Sequence, residues 1–80
     1  MDTISAVRNR ILQLCEERKI SINKLAIRSA LPPSSIKNIL YGKSQNPTII
    51  TIKMICDGLD ISLTEFFNTL VFETLGPEIE

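Results

Sequence analysis

Ser34, Lys37, Asn38 and Tyr41 stand at positions i, i+3, i+4 and i+7 of LPPSSIKNILYGKSQNP, residues 31–47, a stretch without a single acid. On a helix that spacing gathers all four on one face. Such a face offers a hydroxyl, an ammonium, a carboxamide and a phenol, with Lys43 just beyond. These groups donate and accept hydrogen bonds, and no carboxylate is present to repel an anion. This is the chemistry of recognition. Bond-breaking chemistry finds little support elsewhere in the chain. There is no histidine, which excludes a His-based triad, a zinc–histidine site and a His general base. No nucleophile sits on a Gly-rich elbow and no paired carboxylates lie in a plausible cleft, so neither an enzyme nor a metal or cofactor is expected.

The charge pattern supports an anionic partner. The formal net charge is zero, from nine basic and nine acidic residues. From Arg18 to Lys53, however, there are seven basic residues and no acid, a window of +7 balanced by −7 in the flanks. Local potential, not the total, steers a charged partner. A solvated basic face without a partner would carry the same pattern.

The elements that must position these residues are short helices. Ile4, Val7, Ile11, Leu14 and Cys15 recur at three- and four-residue steps, predicting a helix over 4–18 with Arg8, Arg10 and Glu17 on its wetter sides. Ser21 is a good N-cap for a short second helix with Ile22, Leu25 and Ala26 inward. Leu31 precedes proline and is biased to extended backbone, so that helix must end before it. Pro32-Pro33 starts a third helix, because proline at the first helical position lacks only an N–H that would be unpaired there. Ile36, Ile39 and Leu40 form its apolar face and Gly42 ends it. Asn46-Pro47 breaks the chain. Thr48 caps a fourth helix over 49–58 with Ile49, Ile52, Ile55, Cys56 and Leu59 expected inward. Ser62 and Glu65 form a capping box for a fifth, with Leu63, Phe66 and Phe67 inside. The expectation is an all-α, five-helix domain over residues 1–68. A tail over 69–80 follows, whose Leu70, Val71 and Phe72 either meet a second copy or pack back on the first or fifth helix.

Eighty residues suit one domain, and at this size only about 60% of the unfolded surface is buried. A hydrophobic content of 44% fits a compact helical protein. Cys15 and Cys56 are too few and too far apart for a disulfide scaffold or a C-x-x-C metal site, and both fall on apolar stripes. No apolar run approaches the roughly 18 residues of a membrane span, and the N-terminus has no charged-then-apolar signal pattern. A cytoplasmic protein is expected.

Helices two and three together make a helix-turn-helix candidate, in which the first helix crosses a DNA backbone and the second enters the major groove. The pair needs a small residue where the helices touch, and Ala26 is there. It needs a small or φ-permissive residue in the turn, where Ala30 stands. Ile36 pins the second helix from beneath, and Ser34 and Asn38 can offer hydrogen bonds to base edges.

The segment INKLA, then SSIKNILYGKS-x-x-P, then PTIITIKMICDGLDISLTEFF resembles the lambda-repressor-like, Cro/C1-type (Xre) helix-turn-helix family in order and spacing. The resemblance implies the lambda-repressor-like fold. It also implies that Pro33, Ser34, Lys37 and Asn38 occupy base-reading positions. Asparagine can pair bidentately with adenine, and serine is a permissive donor and acceptor. Ser21, Ile22 and Asn23 would meet one phosphate at the start of the second helix. Tyr41, Lys43, Ser44 and Asn46, with the amides opening the fourth helix, would touch the backbone of the same half-site, Lys43 as a phosphate charge. Ala30 and Asp60 stand where the family often has glycine, Gly58 where it has a helix former, and Pro33 where polar readers are common. The implied function is sequence-specific binding of double-stranded DNA for transcriptional control by operator occupancy. It would act as a homodimer on half-sites about 34–36 Å apart, with no membrane or small-molecule ligand involved. The alternative on the same fold is a protein-interaction module, an antitoxin or anti-repressor subunit.

Overall fold

Three of the helices end in the same way. In the computed structural model, which describes residues 1–42 and 44–79, α1 spans Thr3–Arg18, α2 Ile22–Arg28, α3 Pro33–Leu40, α4 Ile49–Leu59, α5 Leu63–Phe67 and α6 Leu70–Glu73. After α1, α2 and α4 comes a residue in the left-handed region: Lys19 at φ 54°, Ala30 at 56° and Asp60 at 59°. An aliphatic follows each one. The Ile20 N–H donates back to Cys15 O at 3.1 Å, Leu31 to Ala26 O at 3.0 Å and Ile61 to Cys56 O at 3.0 Å. This is the hydrogen-bonded helix stop that glycine usually serves. Each aliphatic then packs on the core. None of the three left-handed residues is glycine, so each ending carries the Cβ penalty of about 1–2 kcal/mol. Ala30 therefore makes the turn between α2 and α3 with positive φ, at the cost of mild strain.

The helix starts are sealed locally. Asp2, Ser21, Thr48 and Ser62 each accept a hydrogen bond from the amide three residues on, in Ser5, Lys24, Thr51 and Glu65. Each such cap stabilises by about 1 kcal/mol. Hydrogen bonds from Ser5, side chain first and backbone second, hold the Asp2 carboxyl below the usual carboxylate range. Pro32 begins α3 without a side-chain cap. Gly42, at φ 100°, closes α3, as its sequence position predicts.

The core is one cluster. Ile11, Leu25, Ala26, Ile36, Ile55, Cys56 and Phe66 are fully buried, with Val7, Leu14, Cys15, Ile39, Leu40, Ile52, Leu59 and Ile61 around them. Burial pushes both thiols up from their ordinary pKa, against the opposing charge of Arg18 at Cys15 and of Lys53 at Cys56. Both cysteines are structural, as their apolar stripes predict.

Four expectations need correction or extension. Ile49 does not turn inward: it is 57% exposed, and its neighbour Ile50 is 65% exposed. The helical period alone assigns residue 49 to the inner face, but there it lines an open cleft with Ile4, Val7, Pro47, Ile52 and Phe67 instead of entering the packed core. A sixth helix, α6, follows the expected five, and Phe72 sets its ring against Phe67 at 4.9 Å between centroids and Phe66 at 6.2 Å. The tail thus packs back through Phe72, while Leu70 stays 72% exposed.

Arg8 and Arg10 are not simply on the wet side of α1. Arg8 Nε donates to Ile39 O at the end of α3, at 2.6 Å. Arg10 Nε donates to Phe66 O at 2.7 Å and its Nη2 to Glu65 O at 2.9 Å, at the end of α5. Arg18 completes the set, with Nε on Leu59 O of α4 at 3.2 Å. The three arginines of α1 each occupy orphan carbonyls of a different helix, a favourable placement of positive charge at a helix C-terminus.

Gly58 is explained by the packing of α2 on α4. A Cβ there would lie 2.3 Å from Ser29 Oγ, 3.0 Å from Ser29 N and 3.1 Å from Arg28 C. Ser29 is buried and its Oγ has no hydrogen-bond partner among the described residues. Gly58→Ala gains roughly 1 kcal/mol of helix propensity but forces an overlap costing about 1–3 kcal/mol, so a net loss of about 1 kcal/mol is expected. Ser29→Ala removes an unsatisfied hydroxyl and should be nearly neutral. With Ser29→Ala in place, Gly58→Ala should cost less, with only the tight backbone contacts to Ser29 N and Arg28 C remaining. Urea unfolding of the double-mutant cycle checks this, and strictly additive losses would contradict the contact.

Candidate nucleic-acid interface

α3 is held from below by Ile36, Ile39 and Leu40, all buried, with Leu25 and Ala26 of α2 in the same core cluster. Its other face is open. Pro33, Ser34, Lys37 and Asn38 are all exposed, and Tyr41 is 68% exposed. Among the described residues, none of the side chains of Ser34, Lys37, Asn38 or Tyr41 takes part in a hydrogen bond or ion pair. Their donors and acceptors face outward, as the sequence spacing predicts.

The residues expected at the DNA backbone flank this face. Ser21 and Asn23 are exposed at the start of α2 and Ile22 is half-buried against the core. Ser21 Oγ accepts from Lys24 N at 3.0 Å, which leaves the Ile22 and Asn23 amides without intrahelical partners. With seven residues, α2 has only a small dipole, so these donors act chiefly as hydrogen-bond groups. On the other side, the Ser44 N–H donates to Asn38 O at 2.9 Å, folding the loop back onto α3. Ser44 is half-buried and Asn46 exposed. Lys43 lies outside the described residues. A shallow cleft between α3 and α4 is lined by Ser35, Asn38, Ser44, Asn46, Thr48 and Thr51, so the loop and α3 share one wall. The hydroxyls of Thr48 and Thr51, 3.0 Å apart, add donors that the sequence reading did not single out.

The basic window is narrower in space than in sequence. Arg18 is drawn to the end of α4, and Lys53 pairs with Asp57 on the same helix. Lys24, Arg28 and Lys37 remain as exposed cations on α2 and α3. Two acids, Asp2 and Glu78, border a second cleft with Gln45, Asn46 and Pro47, and mark where the surface stops favouring an anion. They leave Ser34, Lys37 and Asn38 uncovered.

Several apolar side chains are also open to solvent, notably Ile27 at 73%, Ile49, Ile50 and Leu70. Among the described residues, no group of three or more His, Cys, Asp or Glu side chains is placed to hold a metal ion, and no helix is long and apolar enough to cross a membrane.

Residues 10–70 match the Cro/C1-type HTH DNA-binding domain. The chain is 35% identical over 70 residues to the HTH-type transcriptional regulator SlrR of Bacillus subtilis (strain 168), covering 84% of this chain and 46% of the relative. The chain therefore spans about half the length of that relative. Among solved structures, it resembles the restriction-modification controller protein C.Esp1396I with a TM-score of 0.79 at 29% identity, over 94% of this chain and 95% of the other. It also resembles prophage Lp1 protein 11 with a TM-score of 0.80 at 29% identity, over 94% of this chain and 100% of the other. The fold, the open polar face of α3 and the match over most of the chain agree: this chain belongs to the Cro/C1-type helix-turn-helix DNA-binding domain family.

Proposed function

We propose that this chain binds double-stranded DNA in a sequence-specific way and regulates transcription by occupying an operator. One observation carries the reading: Ser34, Lys37 and Asn38 on one face of α3, with Tyr41 just beyond its end, stand exposed and without side-chain partners among the described residues, on a helix pinned from beneath in an acid-free stretch. In this reading α3 lies in the major groove. Pro33, Ser34, Lys37 and Asn38 meet base edges, Pro33 through an apolar contact such as a thymine methyl. Ser21, Ile22, Asn23, Tyr41, Lys43, Ser44 and Asn46 hold the sugar–phosphate backbone. The role is binding, without a catalytic step, and the protein works in the cytoplasm.

One copy covers one half-site, and a homodimer would place two α3 helices about 34–36 Å apart on one face of the duplex. Of Leu70, Val71 and Phe72, the exposed Leu70 and the half-buried Val71 are left for a second copy, since Phe72 is engaged with Phe66 and Phe67.

Selection of bound duplexes from a random pool tests the reading, its symmetry and its spacing together. Two half-sites related by a two-fold axis are expected. On the selected duplex, log K should fall with log salt by about 0.9 for each phosphate neutralised. The open apolar side chains Ile27, Ile49 and Ile50 favour one other reading, a protein-interaction module whose α3 face is silent. Absence of duplex binding even at about 50 mM salt would support that module and reject the DNA reading.

A further inference from the structure

The C-terminal carbonyls of a helix have no partners within it. In α3 three of the last four are taken among the described residues. Lys37 O accepts from Tyr41 N at 2.8 Å and Asn38 O from Ser44 N at 2.9 Å. Ile39 O accepts from the Arg8 side chain, whose Nε lies at 2.6 Å. The same guanidinium reaches forward with Nη2 to Ser44 O, at 3.4 Å. A half-buried arginine on α1 therefore grips the last turn of α3 with one arm and the following loop with the other.

The geometry of the donor matters here. A guanidinium is a rigid planar fork that stays charged at every relevant pH, whereas an ammonium is a single point on a flexible stem. The fork ties the two carbonyls it spans, firmly at Ile39 O and through a longer contact at Ser44 O. Those carbonyls belong to the two pieces that would have to act together on DNA: the helix bearing Ser34, Lys37 and Asn38, and the loop bearing Tyr41, Ser44 and Asn46. Through Ser44 N and Asn38 O the loop is also tied to the residue at the centre of the reading face. A swing of the loop away from α3 would break these bonds together.

We propose that Arg8 is a positioning residue for DNA recognition. It touches no nucleotide itself. It holds the α3 reading face and the Ser44 backbone in one register, so that a phosphate contact made beside Ser44 fixes where Asn38 meets a base. The inference rests on the DNA reading above and assigns its registration to a residue outside the helix-turn-helix.

Arg10 provides an internal control, since it makes the same kind of two-carbonyl grip from α1 on Phe66 O and Glu65 O of α5, away from the reading face. The experiment compares Arg8→Ala, Arg8→Lys and Arg10→Lys, each at a temperature where circular dichroism shows it folded. Affinity is measured for the selected duplex and for a scrambled duplex, together with amide exchange at Tyr41 and Ser44. Arg8→Lys keeps the charge and removes the fork. Both Arg8 variants are expected to lose about tenfold in affinity for the selected duplex while binding the scrambled one as the parent does. Their Ser44 amide should exchange at least about tenfold faster. Arg10→Lys should leave affinity and Ser44 exchange unchanged.

Parental affinity in Arg8→Lys, or an equal loss in Arg10→Lys, overturns the inference while leaving the DNA reading intact. Failure of the parent protein to prefer any duplex overturns the DNA reading and, with it, this assignment.

Discussion

Replacing Phe66 with alanine is expected to destabilise the domain by about 3–5 kcal/mol. Phe66 is fully buried, meets the Phe67 ring edge-on at 4.8 Å between centroids and supports Phe72 at 6.2 Å. Its loss empties the space where α5, α6 and α1 converge, and it loosens the backbone whose carbonyl receives Arg10. At roughly 0.05–0.15 kcal/mol per residue, a chain of this size has about 4–12 kcal/mol in total. The substitution therefore consumes a large part of the stability. A fall in melting temperature of at least about 12 °C should follow, measured by circular dichroism. Phe72→Ala provides the comparison for the tail. If α6 is part of the folded unit, the Phe72 variant loses stability at every protein concentration. If the tail serves only a second copy, its loss appears only where the parent associates. A Phe66→Ala protein that unfolds within about 1 kcal/mol of the parent would show that this aromatic corner is not a core.

Asn38→Ala carries the largest expected effect on binding. On its preferred duplex the variant should lose about 1–3 kcal/mol and relax its preference at one base pair, where adenine is the expected partner. Affinity for unrelated duplexes and the salt slope should stay as they were, because a carboxamide neutralises no phosphate. Stability should move by no more than about 0.5 kcal/mol, since the Asn38 side chain is exposed and has no partner within the described residues. Competition binding against a panel of single-base variants of the selected site reads out all three quantities. Unchanged affinity with unchanged preference would remove Asn38 from the reading face. A uniform loss across all duplexes would reassign it to the backbone.

The helix-turn-helix was legible in the residues because its signals are local. A hydroxyl at Ser21 or Thr48 caps an amide three positions away, Pro32-Pro33 can start a helix but not sit inside one, and Ile36, Ile39 and Leu40 recur with the helical period. The outward placement of Ser34, Lys37 and Asn38 follows from the same period. Other features were hidden because they depend on residues far apart in the chain. Gly58 looks like a poor choice within α4 until Ser29 is seen pressed against it. Ala30 and Asp60 look like departures from glycine, yet each takes the left-handed turn and is followed by an aliphatic anchored in the core.

What the sequence determined by itself, then, was where the first five helices begin and end and which side of each is apolar, because backbone hydrogen bonding and side-chain period act within a few residues. Only the tertiary structure decided which charges remain available. It spends Arg8, Arg10 and Arg18 on the carbonyl ends of α3, α5 and α4, across separations of 31, 56 and 41 residues. It also left Ile49 in solvent despite its period, because an inward direction buries a side chain only where another element is packed against it.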